Sequence, residues 1–366
     1  MATERYTTTV FRREFLATGS AVSATALAGC GSLESRAIEV PSVLDDRPEA
    51  IYVPGHVEGM DVIGIQTSGD YAVALSYSYP HRFWTITGTD AERTSIDETD
   101  SVHLMATVWD PETGMVLPDV GVAVEITRDG SLVSEETVYA MLSQPMGVHH
   151  GANFAGLEDG ENYEVAVRVG ATASRPTGAF AGRFDEPATA TFEFTFEESA
   201  MREIRFDRLD RGGERDALDP MAMERVPTGI APTAEELPGE TVTAMAADVR
   251  YVATIVDPPA GVDGEGAYLA ASPRTRYNGY ALSRMGLAVA PERDGQKGAK
   301  AELTRTIDPD LGYHYGTTLP REGDQRETTS HDGGEVSISV ETPPQVARHE
   351  GYETAFFDVP TVTLSL

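Results

Sequence analysis

The sequence predicts an all-β protein built from two antiparallel β-sandwich domains in tandem, and three observations carry that expectation. From about residue 50 onward, apolar residues alternate with small or polar ones at period two. Turn clusters rich in Asp and Gly interrupt these runs at short intervals. The second half of the chain also repeats landmarks of the first in the same order.

In the first β region, Val120, Val122, Val124 and Ile126 alternate along one predicted strand, and Phe192, Phe194 and Phe196 along another. Val336, Ile338 and Val340, then Val362, Leu364 and Leu366, do the same near the C-terminus. Side chains two apart point to one face of a strand, so each run presents an apolar face to a core and a polar face away from it. Asp129-Gly130, Asp159-Gly160 and Asp332-Gly333-Gly334 supply the turns. The repeat rests on two anchors. Met105 to Pro111 (MATVWDP) is echoed by Val252 to Pro258 (VATIVDP), and Met146 to Gly151 (MGVHHG) by Leu311 to Gly316 (LGYHYG). The longer gap between anchors in the second half implies an inserted loop. The expected organisation is a signal segment at 1–29, a tether at 30–48, a first sandwich at 49–198, a linker at 199–240 and a second, diverged sandwich at 241–366.

The N-terminus predicts export. Arg12-Arg13-Glu14-Phe15-Leu16 precedes a short, weakly apolar run from Ala17 to Ala28, the pattern of a twin-arginine signal. The run ends in Leu27-Ala28-Gly29-Cys30, which a lipoprotein signal peptidase would cleave to leave a lipid on Cys30. The expected location is therefore the outer face of the cell membrane, with membrane lipid as a partner through Cys30. Cys30 is the only cysteine, so no internal disulfide is available and stability must come from burial.

The formal net charge is -31 over 366 residues, and Lys297 and Lys300 are the only lysines. An acidic surface nearly free of lysine fits a chain adapted to molar salt, where self-repulsion is screened within a few ångströms. It argues against nucleic acid as a partner.

The chemistry gathers in two segments. In Val102-His103-Leu104-Met105-Ala106-Thr107-Val108-Trp109, the residues Val102, Leu104, Ala106 and Val108 share one face, which puts His103 and Met105 together on the other. Downstream, Met141 to Asn153 (MLSQPMGVHHGAN) offers two thioethers, Met141 and Met146, beside His149 and His150. Imidazole with thioether suits a soft or borderline ion such as copper, while imidazole with carboxylate suits iron(II) or zinc. A strand histidine is ordinarily a hydrogen-bonded structural residue and a methionine ordinarily core filler. The company these residues keep makes His103, Met105, Met141, Met146 and His149 the candidate ligands. His56, His81 and His331 lack such company and are assigned surface or structural roles; Glu58 has no spacing that ties it to the site.

These segments resemble the periplasmic iron(II)-transport accessory proteins, immunoglobulin-like sandwiches that bind copper and iron beside a high-affinity iron permease. The resemblance covers roughly residues 50–198 and is most specific at His149-His150-Gly151-Ala152-Asn153. It implies immunoglobulin-like domains, His103 and His149 as imidazole ligands, Met141 or Met146 as the thioether ligand, copper or iron as the bound ion, and a membrane iron permease as partner. A homodimer is compatible with it. The chain departs from the pattern twice. Met105 stands where the family has a glutamate, which shifts the preference toward a softer ion, and Gly182-Arg183-Phe184-Asp185 stands where the family has a third histidine. In the second half, Arg250 replaces the counterpart of His103 and His314 is retained, while Arg348-His349-Glu350 resembles the third-histidine segment. His314 and His349, with Met285, are thus candidates for a second, weaker site; the alternatives are that they complete the first site across the domain interface, or mark a degenerate repeat.

No Gly-x-Ser-x-Gly elbow and no glycine-rich phosphate loop before a helix occurs, so the expectation is a non-enzymatic protein. The rival function is an adhesion or scaffold lipoprotein that binds cell-surface polymers or proteins. It predicts exposed aromatics on one face, with Tyr79, Phe83 and Trp84 as candidates.

Overall fold

The computed structural model describes residues 41–264, 266–293, 296–319 and 334–366. The twin-arginine motif, Cys30 and His331 lie outside these residues. Among the described residues no helix is long and apolar enough to cross a membrane.

The two antiparallel β-sandwich domains in tandem are present. In the first half the sheet runs in the order Ala188–Thr195, Asn162–Thr172, Val120–Arg128, Ser131–Ser143, Gly147–Ala155, Asp100–Trp109, Tyr71–Ser78, Asp61–Ser68. Its end strands meet, with the Phe192 ring packed on Gly64, so the sheet curls around a core. The predicted alternation is what fills that core. Val120, Val122, Val124 and Ile126 are buried, as are Tyr163, Val165, Val167 and Val169 opposite them and Phe192, Phe194 and Phe196 beyond. Burying each such side chain contributes about 1.5–3 kcal/mol.

In the second half the order is Thr241–Ala246, Val249–Val256, Ala267–Thr275, Gly312–Leu319, Ala301–Asp308, Gly286–Arg293, Glu335–Thr342, Val362–Ser365. Here too the first and last strands pack together.

The described residues form one compact unit, because the halves interlock. Each lends a two-residue strand to the other. Arg175–Pro176 pairs in parallel with Thr306 and Ile307 of the second sheet. Ala347–Arg348 pairs in parallel with Met141 and Leu142, and antiparallel with Trp84, in the first. Gln144 ties the junction: its Nε2 donates to the carbonyls of Tyr52 and Gly351 at 2.8 and 3.3 Å, and its Oε1 accepts from Leu218 N–H at 2.8 Å. Buried Asp119 of the first half accepts from the Tyr313 hydroxyl at 3.0 Å and pairs with Arg305 at 3.3 Å and Arg284 at 3.4 Å. Between the halves, helix Glu198–Glu203 leads into the short strand Phe206–Arg208, which pairs with His56–Glu58.

This interlocking explains one departure from simple alternation. Strand Asp100–Trp109 is buried on both faces from Val102 on, not on one. Its even-numbered face fills the sandwich core, and its odd-numbered face, carrying His103 and Met105, is covered from outside the sheet.

Candidate metal centre

Strand register builds the site. His103 lies opposite Asn153, Met105 opposite Gly151, Gly151 opposite Tyr139, and Met141 opposite His149. Across three neighbouring strands, His103, His149, Gly151, Asn153 and Met141 therefore share one face. His150, one residue out of phase, points the other way and places Nε2 3.1 Å from the Val120 carbonyl. Burial pushes its pKa down to about 3.

On the fourth side stands His349. The parallel pairing of Ala347 with Met141 brings the chain alongside, and His349 N–H donates to the Leu142 carbonyl at 3.1 Å. The side chain of His349 then places Nε2 3.4 Å from Met141 Sδ. Buried Arg348 holds this segment in shape: its guanidinium donates to the carbonyls of Ala355 and Pro344 and lies over Phe357, 4.4 Å from the ring centroid.

A further histidine comes from the loop between strands Tyr71–Ser78 and Phe83–Thr87. His81 sits with its ring centroid 3.9 Å from that of His103 and 4.9 Å from that of His349. The ligating atoms of His81, His103 and His349 all lie within 4.8 Å of one another. His149 closes the group, 5.2 Å from His349 between ring centroids.

In three of these rings one nitrogen is fixed by a partner and the other is bare. His103 Nδ1 lies 2.7 Å from Asn153 Oδ1, His149 Nδ1 3.2 Å from the Gly147 carbonyl, and His81 Nδ1 2.9 Å from Glu58 Oε2. With Nδ1–H donating, each Nε2 carries a lone pair, and all three Nε2 atoms are buried without a hydrogen-bond partner. An orphaned buried nitrogen costs stability unless something occupies it. The carboxylate or carbonyl behind each ring is the usual support of a metal-ligating histidine. Asn153 does double duty, because its Nδ2 also donates to the His81 carbonyl at 3.0 Å and so fixes the loop that carries His81.

Electrostatics keep these rings ready. Burial first, and then the neighbouring imidazole of His81, hold His103 well below the usual histidine range. Burial, then His81, His149 and His103, do the same for His349. His149 is lowered by burial to about 4. Neutral imidazole is the ligating form. Burial alone would raise Glu58, but His81 and His56 around it bring its carboxyl down to about 2, so it stays an anion behind the cluster.

Gly151 makes the space. A Cβ there would lie 2.8 Å from His103 Nε2 and 3.4 Å from Met141 Sδ. His103 and Met141 thus border a cradle that the missing side chain keeps open. Imidazole nitrogens with one thioether fit a borderline-to-soft ion, copper better than iron(II).

The family described as "Domain of unknown function (DUF7350)" matches residues 58–187 and 235–365. The chain belongs to this family. Its two matched segments coincide with the two β regions. Among solved structures, FetP of uropathogenic E. coli strain F11 is similar at 17% identity over 39% of this chain and 96% of that one, with a TM-score of 0.28. A copper-bound variant of Campylobacter jejuni P19 is similar at 20% identity, over 39% and 98% of the two chains, with a TM-score of 0.28. Copper-reconstituted P19 gives 20%, 39% and 96%, with a TM-score of 0.28. No curated protein matches.

Of the residues singled out from sequence, the structure brings together His103, His149 and Met141. Met105 and Met146 are buried beside the cluster, where they line an adjoining cavity. The pairing of His314 with His349 in a second site is not what the structure shows. His349 joins the first cluster instead, and His314 is satisfied inside the second half, with Nδ1 3.0 Å from the Gly312 carbonyl and Nε2 3.0 Å from the Tyr268 hydroxyl. The repeat makes the contrast informative. His314 and Gly316 correspond to His149 and Gly151, and the opening left by Gly316 is filled by the Tyr268 hydroxyl, 1.9 Å from where a Cβ would sit. A phenol occupies in the second half the place that is open in the first.

His81 was assigned a surface or structural role from sequence; the structure puts it in the cluster. It arrives on the segment between strands Tyr71–Ser78 and Phe83–Thr87, whose sequence does not indicate where it packs. Glu58, untied by spacing, stands behind His81. Tyr79, Phe83 and Trp84, the exposed aromatics expected by the adhesion reading, are all buried.

Proposed function

We propose that this chain is an extracytoplasmic metal-binding protein, anchored by lipid at Cys30, that captures copper or iron and supports its uptake by a membrane permease. One observation carries the reading. The buried, unpartnered Nε2 atoms of His81, His103 and His149 belong to one cluster with His349 and the Met141 thioether, and His103 and Met141 border the space left by Gly151. Such a set is costly as packing and favourable as a coordination shell. The mixture of imidazole and thioether favours copper over iron as the ion held most tightly.

The export motif and Leu27-Ala28-Gly29-Cys30 support a location outside the cell, on its membrane. A short tether there would raise the effective concentration of captured ion near a permease. The resemblance to iron-transport accessory proteins supports the permease as partner. The absence of a carboxylate at position 105 favours a softer cargo than iron(II).

Metal analysis tests the reading. Protein purified without added metal, and the same protein carrying His103→Ala and His149→Ala, are compared for bound copper and iron after reconstitution. The unaltered chain is expected to hold about one equivalent and the double variant at least tenfold less. Equal metal content in the two would overturn the assignment.

A further inference from the structure

Beside the histidine cluster lies a cavity of about 100 Å³ whose wall is rich in methionine. Four of its 18 lining residues are Met60, Met105, Met146 and Met221, against 11 methionines in 366 residues. At that frequency fewer than one would be expected. The four come from four separate segments: the turn before strand Asp61–Ser68, the His103 strand, the tight turn before Gly147, and the connection between the halves. Met221 is held in place there by a hydrogen bond from its N–H to the Pro145 carbonyl at 2.7 Å. His81 and His349 form part of the same wall, so the cavity and the cluster share a boundary.

Methionine in a core ordinarily fills gaps, because its flexible chain adapts to irregular space. Here the thioethers surround a gap instead of filling it. The wall is graded as well: Met60 and Met221 are half-buried, Met105 and Met146 buried. It thus runs from the surface side to the rings of His81 and His349.

We propose that this cavity is a second, thioether-rich site that takes a soft monovalent cation, copper(I) or its analogue silver(I), and passes it to the histidine cluster. Thioether sulfur is a neutral, soft donor that selects copper(I) and does not compete well for harder divalent ions. Several such donors hold a monovalent ion, with the Glu58 carboxylate of the same wall as its counter-charge, and release it to stronger imidazole ligands next door. The inference rests on the metal-binding reading for the direction of passage; the cavity's own binding stands separately.

The probe is silver(I), titrated into the full chain and followed by bound-metal analysis and silver-edge X-ray absorption. The unaltered protein is expected to bind two equivalents, with about two sulfur scatterers per silver on average. The triple variant Met60→Leu, Met146→Leu, Met221→Leu keeps apolar volume and should fold. It is expected to lose one equivalent of silver, fall to at most one sulfur per ion, and keep an unchanged copper(II) signal from nitrogen ligands. Two silver ions retained in that variant, or no more than one sulfur per silver in the unaltered protein, would overturn the proposal. Absence of copper(II) binding alongside a sulfur-bound silver ion lost in the triple variant would sink the histidine centre and leave this site supported. The absorption measurement needs no variant, so a folding failure cannot shelter the idea.

Discussion

Gly151 is the sharpest point at which to test how the cluster works, because one carbon decides it. Gly151 has an ordinary extended backbone, so alanine brings no conformational penalty there, only volume. The new Cβ would stand 2.8 Å from His103 Nε2, 3.1 Å from the Leu104 carbonyl and 3.4 Å from Met141 Sδ. An ion held by an imidazole sits about 2.0–2.1 Å from its nitrogen. A carbon 2.8 Å from that nitrogen crowds the ion's place unless His103 moves off its Asn153 anchor. Losing the anchored geometry of one ligand costs about 10–100-fold in affinity, and losing the ligand itself more. Gly151→Ala is therefore expected to weaken copper binding by at least about 100-fold, about 3 kcal/mol. Overpacking costs the metal-free fold only about 1–3 kcal/mol. Competition titration with a chelator of known affinity measures the first effect, and thermal unfolding of the metal-free protein the second. Unchanged copper affinity in a folded Gly151→Ala protein would refute the cradle, and with it the convergence of His103 and Met141 on one ion.

Two other expectations follow from the same geometry. His349→Ala should cut copper affinity at least tenfold, whereas His314→Ala, whose Nε2 meets the Tyr268 hydroxyl, should leave affinity unchanged and lower only stability; the reverse ranking in a titration would show that the second half holds the ion. On pH, His149 titrates near 4 in the folded chain against about 6.5 unfolded, so the unfolded ring takes its proton first. Its contribution to stability is then complete above pH 6.5, erodes as pH falls toward 4, and amounts to about 3 kcal/mol. Protons compete for its lone pair only near pH 4, so bound copper should survive dialysis at pH 5 and be lost near pH 3.5. Half-loss at pH 6–6.5 would show that the rings are solvated rather than buried.

Solvated imidazole ligands would lose metal through the ordinary histidine range. The structure moves that window down, because the covering residues of the second half exclude water from the rings. Burial of this kind has no local signature.

What the sequence determined alone is what depends on neighbours along the chain. Period-two alternation at Val120 to Ile126 and at Phe192 to Phe196 identified strands and their inward faces, since side-chain direction in a strand is a local matter. The same parity put His103 and Met105 on one face, and the short segment from His149 to Asn153 proved dense with function: a candidate ligand, a core residue, an opening, a second core residue and an anchor. Tertiary structure alone decided what closes the cluster. His81 arrives on a loop, and His349 from more than 200 residues beyond His103, carried in by a two-residue strand that pairs with Met141 and Leu142. Nothing in the spacing of His349 distinguished a partner for His314 from a partner for His103, because both readings were consistent with a repeat. The choice was made by packing: the Tyr268 hydroxyl fills the opening at Gly316 in one half, while in the other the bare Nε2 of His103 borders the opening at Gly151.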